Sequence, residues 1–128
     1  MKMILLTLGV LAGAVSLAAQ EGHPLTGSWH GQWVNGAQKN NVVLFLKWDT
    51  RNIIGTINPG PNSMPVKSAT LDPEKWMVHL EGDGKDKAGT AVHVVIDGKL
   101  ENLGSYNRTI TGTWTQGAAT GVLKVTRD

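Results

Sequence analysis

Short runs of alternating apolar and polar residues make up the chain from residue 25 onward, and no segment there keeps a 3.6-residue period. Clusters of Gly, Pro, Asn and Asp, which favour turns, separate these runs. The pattern predicts eight strands. They are expected at residues 25–34, 41–48, 53–58, 65–71, 75–82, 90–97, 109–115 and 121–127.

The lengths of the connections predict how these strands are arranged. Each connection is too short for a helical crossover, so strands that are neighbours in sequence should pair antiparallel. Eight strands in such an up-and-down order would leave two unpaired edges, which closure into a barrel removes. We therefore expect an all-β fold, an eight-stranded antiparallel up-and-down (meander) barrel. A two-sheet sandwich is the alternative.

Alternation within each strand predicts which side chains face the interior. Matching the apolar faces of neighbouring strands places Trp33 opposite Val42 and Leu44 opposite Ile57. The same matching places His79 opposite His93, on the outer face. In strand 4, an inward-facing Leu71 opposite Trp76 would put Lys67 on the inner face as well.

The connections also distinguish the two ends of the barrel. Those expected at one end, which we call the mouth, are long and rich in Gly, Pro or Asn: 35–40, 59–64, 83–89 and 116–120. Two of the three at the other end, which we call the floor, are tight: 49–52 and 72–74. We expect Trp33 and Trp114 near an open mouth, and Trp29, Trp48 and Trp76 near a closed floor.

The first 19 residues resemble a secretory leader. Lys2 provides a positive start, an apolar run follows over 3–15, and small residues end the segment at 16–19. The apolar run is shorter than the roughly 20 residues that a membrane-spanning helix needs. We expect residues 1–19 to be a signal peptide and residues 20–128 a single barrel domain. The mature protein should be secreted or periplasmic, without membrane attachment after cleavage.

Composition narrows the kinds of fold and partner. The chain has no cysteine, so disulfides cannot hold the fold together. Loss of Lys2 with the leader reduces twelve basic residues to eleven, against ten acidic ones. The two signs are interspersed along the chain and form no basic stripe, so we expect no nucleic-acid partner.

Catalytic and metal-binding patterns are not evident. Most acidic residues fall in turns, where a carboxylate commonly accepts backbone hydrogen bonds. No Ser-His-Asp order, phosphate loop or dinucleotide fingerprint is present, so we expect no enzyme and no cofactor. His79, His93 and nearby Glu81 could together ligate zinc, but polar side chains on an outward face are common. We therefore expect no metal site.

Two short motifs carry a resemblance to a known group. Thr26-Gly27-Ser28-Trp29 resembles the G-x-W opening of the calycins, which include lipocalins, avidins and small bacterial metalloprotease inhibitors. The resemblance implies a barrel in which a basic side chain of the last strand, here Arg127, lies across Trp29. The run 111–114 is similar to the G-T-W run that avidins carry near their ligand. The polar biotin-contact pattern of avidins is missing, so biotin binding is not implied.

These observations favour a non-enzymatic protein that binds a mainly apolar small molecule through the mouth. The inner face carries few charges, so such a ligand would have at most one acidic group. The expected ligand contacts are Trp33, Val42, Leu44, Ile57, Leu80, Val92 and Trp114.

Two other functions stay open at this point. An inhibitor or protein-interaction module could dock onto an exported enzyme through residues 20–24 or the rim loops. A carbohydrate-binding surface would instead present flat, exposed tryptophan rings on one side of the barrel. The exposure of the tryptophans distinguishes these possibilities.

Overall fold

The computed structural model describes residues 23–60, 63–86 and 88–128. Each strand pairs antiparallel with the next, and β1 pairs with β8 to close the barrel. The expected all-β meander barrel is therefore confirmed. The strands are β1 (Gly27–Asn35), β2 (Gln38–Trp48), β3 (Ile53–Ile57), β4 (Met64–Asp72), β5 (Met77–Lys85), β6 (Ala91–Glu101), β7 (Thr109–Gln116) and β8 (Ala119–Arg127).

The interior is filled by apolar side chains that alternate inward along the strands. Trp29 and Trp114 are the largest fully buried residues, and buried branched aliphatic residues from β2, β3, β5, β6, β7 and β8 pack around them. The predicted leader, residues 1–19, lies outside the described residues. Within those described ranges, no helix has the length and apolar character that crossing a membrane would need.

The hairpin of β1 and β2 is tighter than the sequence suggested. Trp33 lies opposite Asn40, and Val42 lies opposite Gly31, so the predicted pairing of Trp33 with Val42 is wrong by two residues. Asn35 pairs with Gln38 across a two-residue loop in which Gly36 has φ 60°. A glycine with positive φ at the first loop position suits a type II′ turn. This turn continues both strands through polar residues that the pattern assigned to a loop.

The β5–β6 hairpin is also shifted, here by four residues. His79 pairs with Asp97, and His93 pairs with Asp83, so the two histidines are not cross-strand neighbours as expected. Both side chains nevertheless lie on the outer face, because a slip by an even number of residues leaves every side chain on its original face. The predicted pairing of Leu44 with Ile57 is confirmed.

A β-bulge between Val66 and Ser68 corrects the prediction for strand 4. Because the bulge adds a residue to β4, Val66 packs against the core while Lys67 is exposed. The Lys67 ammonium lies 3.2 Å from the Asp83 carboxylate on the outer face. Beyond the bulge, Leu71 pairs with Val78 rather than with Trp76.

Glycines on the inner face mark places where neighbouring strands cross closely. A Cβ added to Gly31 would stand 1.9 Å from the carbonyl oxygen of Lys124, and one added to Gly112 would stand 2.0 Å from that of Asp97. No side chain fits at such distances. These glycines therefore permit the sharp coiling of a small barrel, rather than leaving room for a ligand.

Barrel closure brings Arg127 opposite Trp29 in the β1–β8 ladder. The guanidinium does not stack on Trp29 as expected: it lies over Tyr106, 5.1 Å from the ring centroid, and donates to the Thr26 carbonyl at 3.3 Å. The Trp29 indole is fully buried and donates its N–H to the Leu25 carbonyl at 3.0 Å. Arg127 thus ties β8 to the start of β1 through contacts beside Trp29.

Candidate functional site

A cavity of about 620 Å³ opens at the mouth of the barrel. Its apolar wall consists of the rings of Trp33 and Trp114, with Val92 and Met64 beside them. The size falls within the usual range for small-molecule sites. Seven polar residues complete the lining: Lys39, Asn40, Asn41, Asn58, Lys85, Asp86 and Gln116.

The two tryptophans form a stacked pair. Their ring centroids are 5.5 Å apart and their planes differ by 9°, which is an offset arrangement that aromatic rings favour. The Trp114 indole N–H donates to the Gln116 side-chain oxygen at 3.2 Å, and the Asn40 amide donates to the Trp33 carbonyl at 3.4 Å. These contacts hold the apolar wall in place while polar groups remain above it.

The polar rim of the cavity carries more positive than negative charge. Lys39 and Lys85 both line it, and neither forms an ion pair with another described residue. The one rim carboxylate, Asp86, accepts the backbone N–H groups of Ala88 and Thr90 at 2.9 and 3.0 Å. Because Asp86 is engaged in its own loop, the two ammonium groups are the charges available to a ligand.

The predicted ligand contacts fall into two groups. Trp33, Val92 and Trp114 line the mouth cavity. The others are enclosed in the packed core, do not line the cavity, and have at most 1% of their surface exposed: Val42, Leu44, Ile57 and Leu80. Side chains fill the barrel at this depth, so contact between these four residues and a ligand stays a prediction.

The sequence reasoning missed the polar part of the rim. Asn40 and Gln116 were assigned to loops, yet each continues the inward-facing alternation of its strand, two residues from Val42 and Trp114 respectively. That parity was the available signal. The sequence did not indicate Met64, because its place in the cavity wall depends on close packing against Gly84. A Cβ added to Gly84 would stand 2.2 Å from the Met64 side chain.

A second cluster of polar side chains lies on the outer face of β4, β5 and β6; we call it the imidazole–carboxylate ladder. His79 contacts Asp97 through Nδ1 at 2.5 Å and Glu81 through Nε2 at 2.9 Å. His93 contacts Asp83 through Nδ1 at 2.5 Å and Glu81 through Nε2 at 3.0 Å. Each ring has carboxylate oxygens at both nitrogens, so only the protonated imidazole can donate to both.

The charges of the ladder shift the pKa values of its members in opposite directions. Hydrogen bonds to Asp97 and then Glu81 raise the pKa of His79, and those to Asp83 and then Glu81 raise the pKa of His93. Hydrogen bonds from the two imidazoles lower the pKa of Glu81. Contacts with His93 and then Lys67 lower the pKa of Asp83. The ladder therefore favours paired, fully charged groups.

The pH dependence of stability should reveal this pairing. A histidine whose pKa is raised on folding stabilises the fold at pH values below about 6.5. This contribution is lost as the pH rises through the pKa of the folded state. A lowered carboxylate pKa stabilises above about 4 and loses its effect as pH falls. We expect the stability difference between the wild type and a His79→Gln/His93→Gln variant to be largest near roughly pH 5–6. Urea unfolding at several pH values measures it.

Exposure limits the size of that effect. The side chains are about one-third to two-thirds exposed, so added salt should reduce the difference between the two proteins. A His23→Gln variant serves as a comparison outside the ladder, and its stability difference from the wild type should change with pH in the opposite direction, because burial lowers the pKa of His23. A stability difference that stays constant from pH 5 to pH 9 would contradict the paired, protonated state of the two histidines.

In the described part of the chain, no group of three or more His, Cys, Asp or Glu side chains has an arrangement that could hold a metal ion. The ladder residues instead form hydrogen bonds and ion pairs with one another.

Comparison with known proteins adds no further identification: no family model, curated protein or solved structure matches this chain.

Proposed function

We propose that this protein is an exported, non-enzymatic barrel that binds a small, mainly apolar molecule carrying one acidic group. The observation that carries the proposal is the mouth cavity, where a stacked Trp33–Trp114 wall lies below Lys39 and Lys85. The apolar body of a ligand would lie above the indole pair and touch the small part of the rings that remains accessible. Its acidic group would then lie at the rim, where the ammonium groups are unpaired among the described residues.

The leader-like segment and the calycin resemblance support this proposal independently of the cavity. Export is inferred from the charged start, apolar run and small residues of 1–19. The closed eight-stranded barrel is the fold that the G-x-W motif at 27–29 implies. Small-ligand binding at a barrel mouth is also a common use of such architectures.

The filled interior favours a second candidate function. Because side chains pack the core below the cavity, the barrel could also serve as a rigid support for an inhibitor or protein-interaction surface.

A sugar-binding surface fits the mouth less well. Trp33 and Trp114 are 9% and 1% exposed, so they present no open pair of coplanar rings.

A fluorescent probe with the proposed chemistry can test the site. We expect 1-anilinonaphthalene-8-sulfonate, a largely apolar aromatic dye with a single negative charge, to bind and brighten. Its affinity should fall by roughly tenfold or more in a Lys39→Gln/Lys85→Gln variant, since a charge-assisted contact contributes about 1.5–3 kcal/mol and about 1.4 kcal/mol is tenfold. A Lys99→Gln/Lys124→Gln variant removes the same charge from the outer faces of β6 and β8. Equal losses in both variants would show non-specific attraction and reject the mouth site.

A further inference from the structure

A separate cleft of about 450 Å³ lies at the floor of the barrel, opposite the mouth. It is bounded by the residues that precede β1, by the β2–β3 connection and by the β4–β5 connection. Three aromatic rings line it, those of His23, Trp48 and Trp76, and all three are half-buried. The floor is therefore not closed, contrary to what its tight connections predicted, but contains an accessible aromatic cleft.

His23 shows what kind of group the cleft wall accepts. Its imidazole stacks on Trp48 with a centroid separation of 4.8 Å and an interplanar angle of 11°. The Nδ1 atom accepts the backbone N–H of Leu25 at 3.2 Å, and burial lowers the pKa of His23. The ring is therefore neutral at neutral pH. A flat, uncharged heteroaromatic ring already lies against this wall.

Trp76 reaches the cleft from an unfavourable backbone conformation. Its φ is 56°, a left-handed value that is rare for a bulky residue and costs on the order of 1–2 kcal/mol. The Trp76 carbonyl accepts the Leu100 N–H at 2.8 Å, which holds this conformation. The sequence pattern placed Trp76 in a strand, but β5 begins at Met77. Trp76 thus lines the cleft from a left-handed backbone position just before β5.

The rim of the cleft supplies a positive charge and hydrogen-bond donors. Arg51, Asn52 and Thr70 are exposed there. The Asp49 carboxylate accepts the backbone N–H groups of Arg51 and Asn52 at 2.9 and 2.6 Å, which fixes the turn that presents them. The Arg51 guanidinium forms no ion pair with another described residue.

From this arrangement we propose that the floor cleft is a second ligand site, for a flat aromatic ring that carries one acidic group. The ring would lie in the space beside His23 and Trp48 and against Trp76, with its acidic group on Arg51. Ile53, Ala69 and Leu71 form the remaining walls. Those apolar walls would leave sugar hydroxyls unpaired, which favours an aromatic ligand over a carbohydrate.

Titration with 1-naphthoate, followed by the indole N–H signals in NMR spectra, tests the proposal. We expect the Trp48 and Trp76 signals to shift with a common affinity. An Arg51→Gln variant should bind roughly tenfold more weakly, as loss of a charge-assisted contact predicts. A Lys47→Gln variant removes a nearby charge from the outer face of β2 and should bind normally. Neutral 2-naphthol should bind the wild type and Arg51→Gln equally.

Two further variants keep the proposal falsifiable. Trp76→Gly relieves the left-handed strain, so the protein should stay folded while the shifts at Trp48 are lost. A Trp33→Phe/Trp114→Phe variant alters only the mouth, so it should leave naphthoate binding at the floor unchanged. Absence of shifts at Trp48 and Trp76, shifts confined to Trp33 and Trp114, or unchanged binding in Arg51→Gln would overturn the floor site without affecting the mouth.

Discussion

Replacement of Gly112 by Ala is expected to destabilise the barrel by roughly 3 kcal/mol or more, a large part of the roughly 5–15 kcal/mol by which native domains are stable. The added Cβ would stand 2.0 Å from the Asp97 carbonyl oxygen and 2.4 Å from the Gly98 Cα. Both of these are backbone atoms of the paired strand β6, so no side-chain rotation can relieve the contact. Urea unfolding at neutral pH measures the loss.

Gly104→Ala is the matched control for this substitution. Nothing lies within 4 Å of the position where a Cβ would stand at Gly104, and its φ is not in the left-handed region. The same chemical change should therefore alter stability by less than about 0.5 kcal/mol. Similar stabilities for the two variants would mean that β6 and β7 do not cross as closely as the structure requires.

The second large effect concerns the paired rings of the mouth. A Trp33→Phe/Trp114→Phe variant should bind 1-anilinonaphthalene-8-sulfonate at least roughly tenfold more weakly, because the stacked pair that shapes the cavity wall is lost. Equilibrium titration of probe fluorescence measures the affinity. Thermal unfolding of the same variant should also show a loss of stability, because both rings are buried and phenylalanine fills only part of each site.

Trp29→Phe provides the comparison for that experiment. Trp29 is as deeply buried as Trp114 but lies toward the floor, away from the mouth cavity. Its replacement should lower stability while leaving probe affinity unchanged. If Trp29→Phe weakened the probe as much as the double mouth variant, probe binding would reflect general loosening of the fold.

Much of the fold follows from residue alternation. The odd-numbered run from Gly27 to Trp33 and the even-numbered run from Val42 to Trp48 define one inner face, and the structure has the same faces. Strand pairing could not be fixed in the same way. Slips of two or four residues preserve the faces, so the choice depended on turn geometry, such as the positive φ of Gly36.

Other features depended on contacts that no local pattern reports. The bulge beside Val66 reverses the direction of Lys67, and its presence follows from how β4 fits against β5. Trp76 itself has a left-handed backbone conformation, which glycine adopts more readily than other residues, so it does not continue the strand pattern. The sequence grouped His79, Glu81 and His93, but the contacts of the two histidines with Asp97 and Asp83 became visible only when the β5–β6 pairing was known.

The candidate site was predicted in its apolar part and missed in its polar part. Strand direction and parity placed Trp33 and Trp114 at the mouth, where both line the cavity. Lys39 and Lys85 were indistinguishable in sequence from other surface lysines. Their position at the rim results from two strands that run further than their apolar residues indicate.

Native mass spectrometry of the protein purified from its natural source would test the central claim most directly. If the mouth is a ligand site, the protein should carry a small molecule, and a Trp33→Phe/Trp114→Phe variant produced in the same way should carry much less. Collisional release should yield a mainly apolar acid. A mature chain that carries no small molecule in either form, or that is recovered with a bound protein instead, would contradict the ligand-binding account.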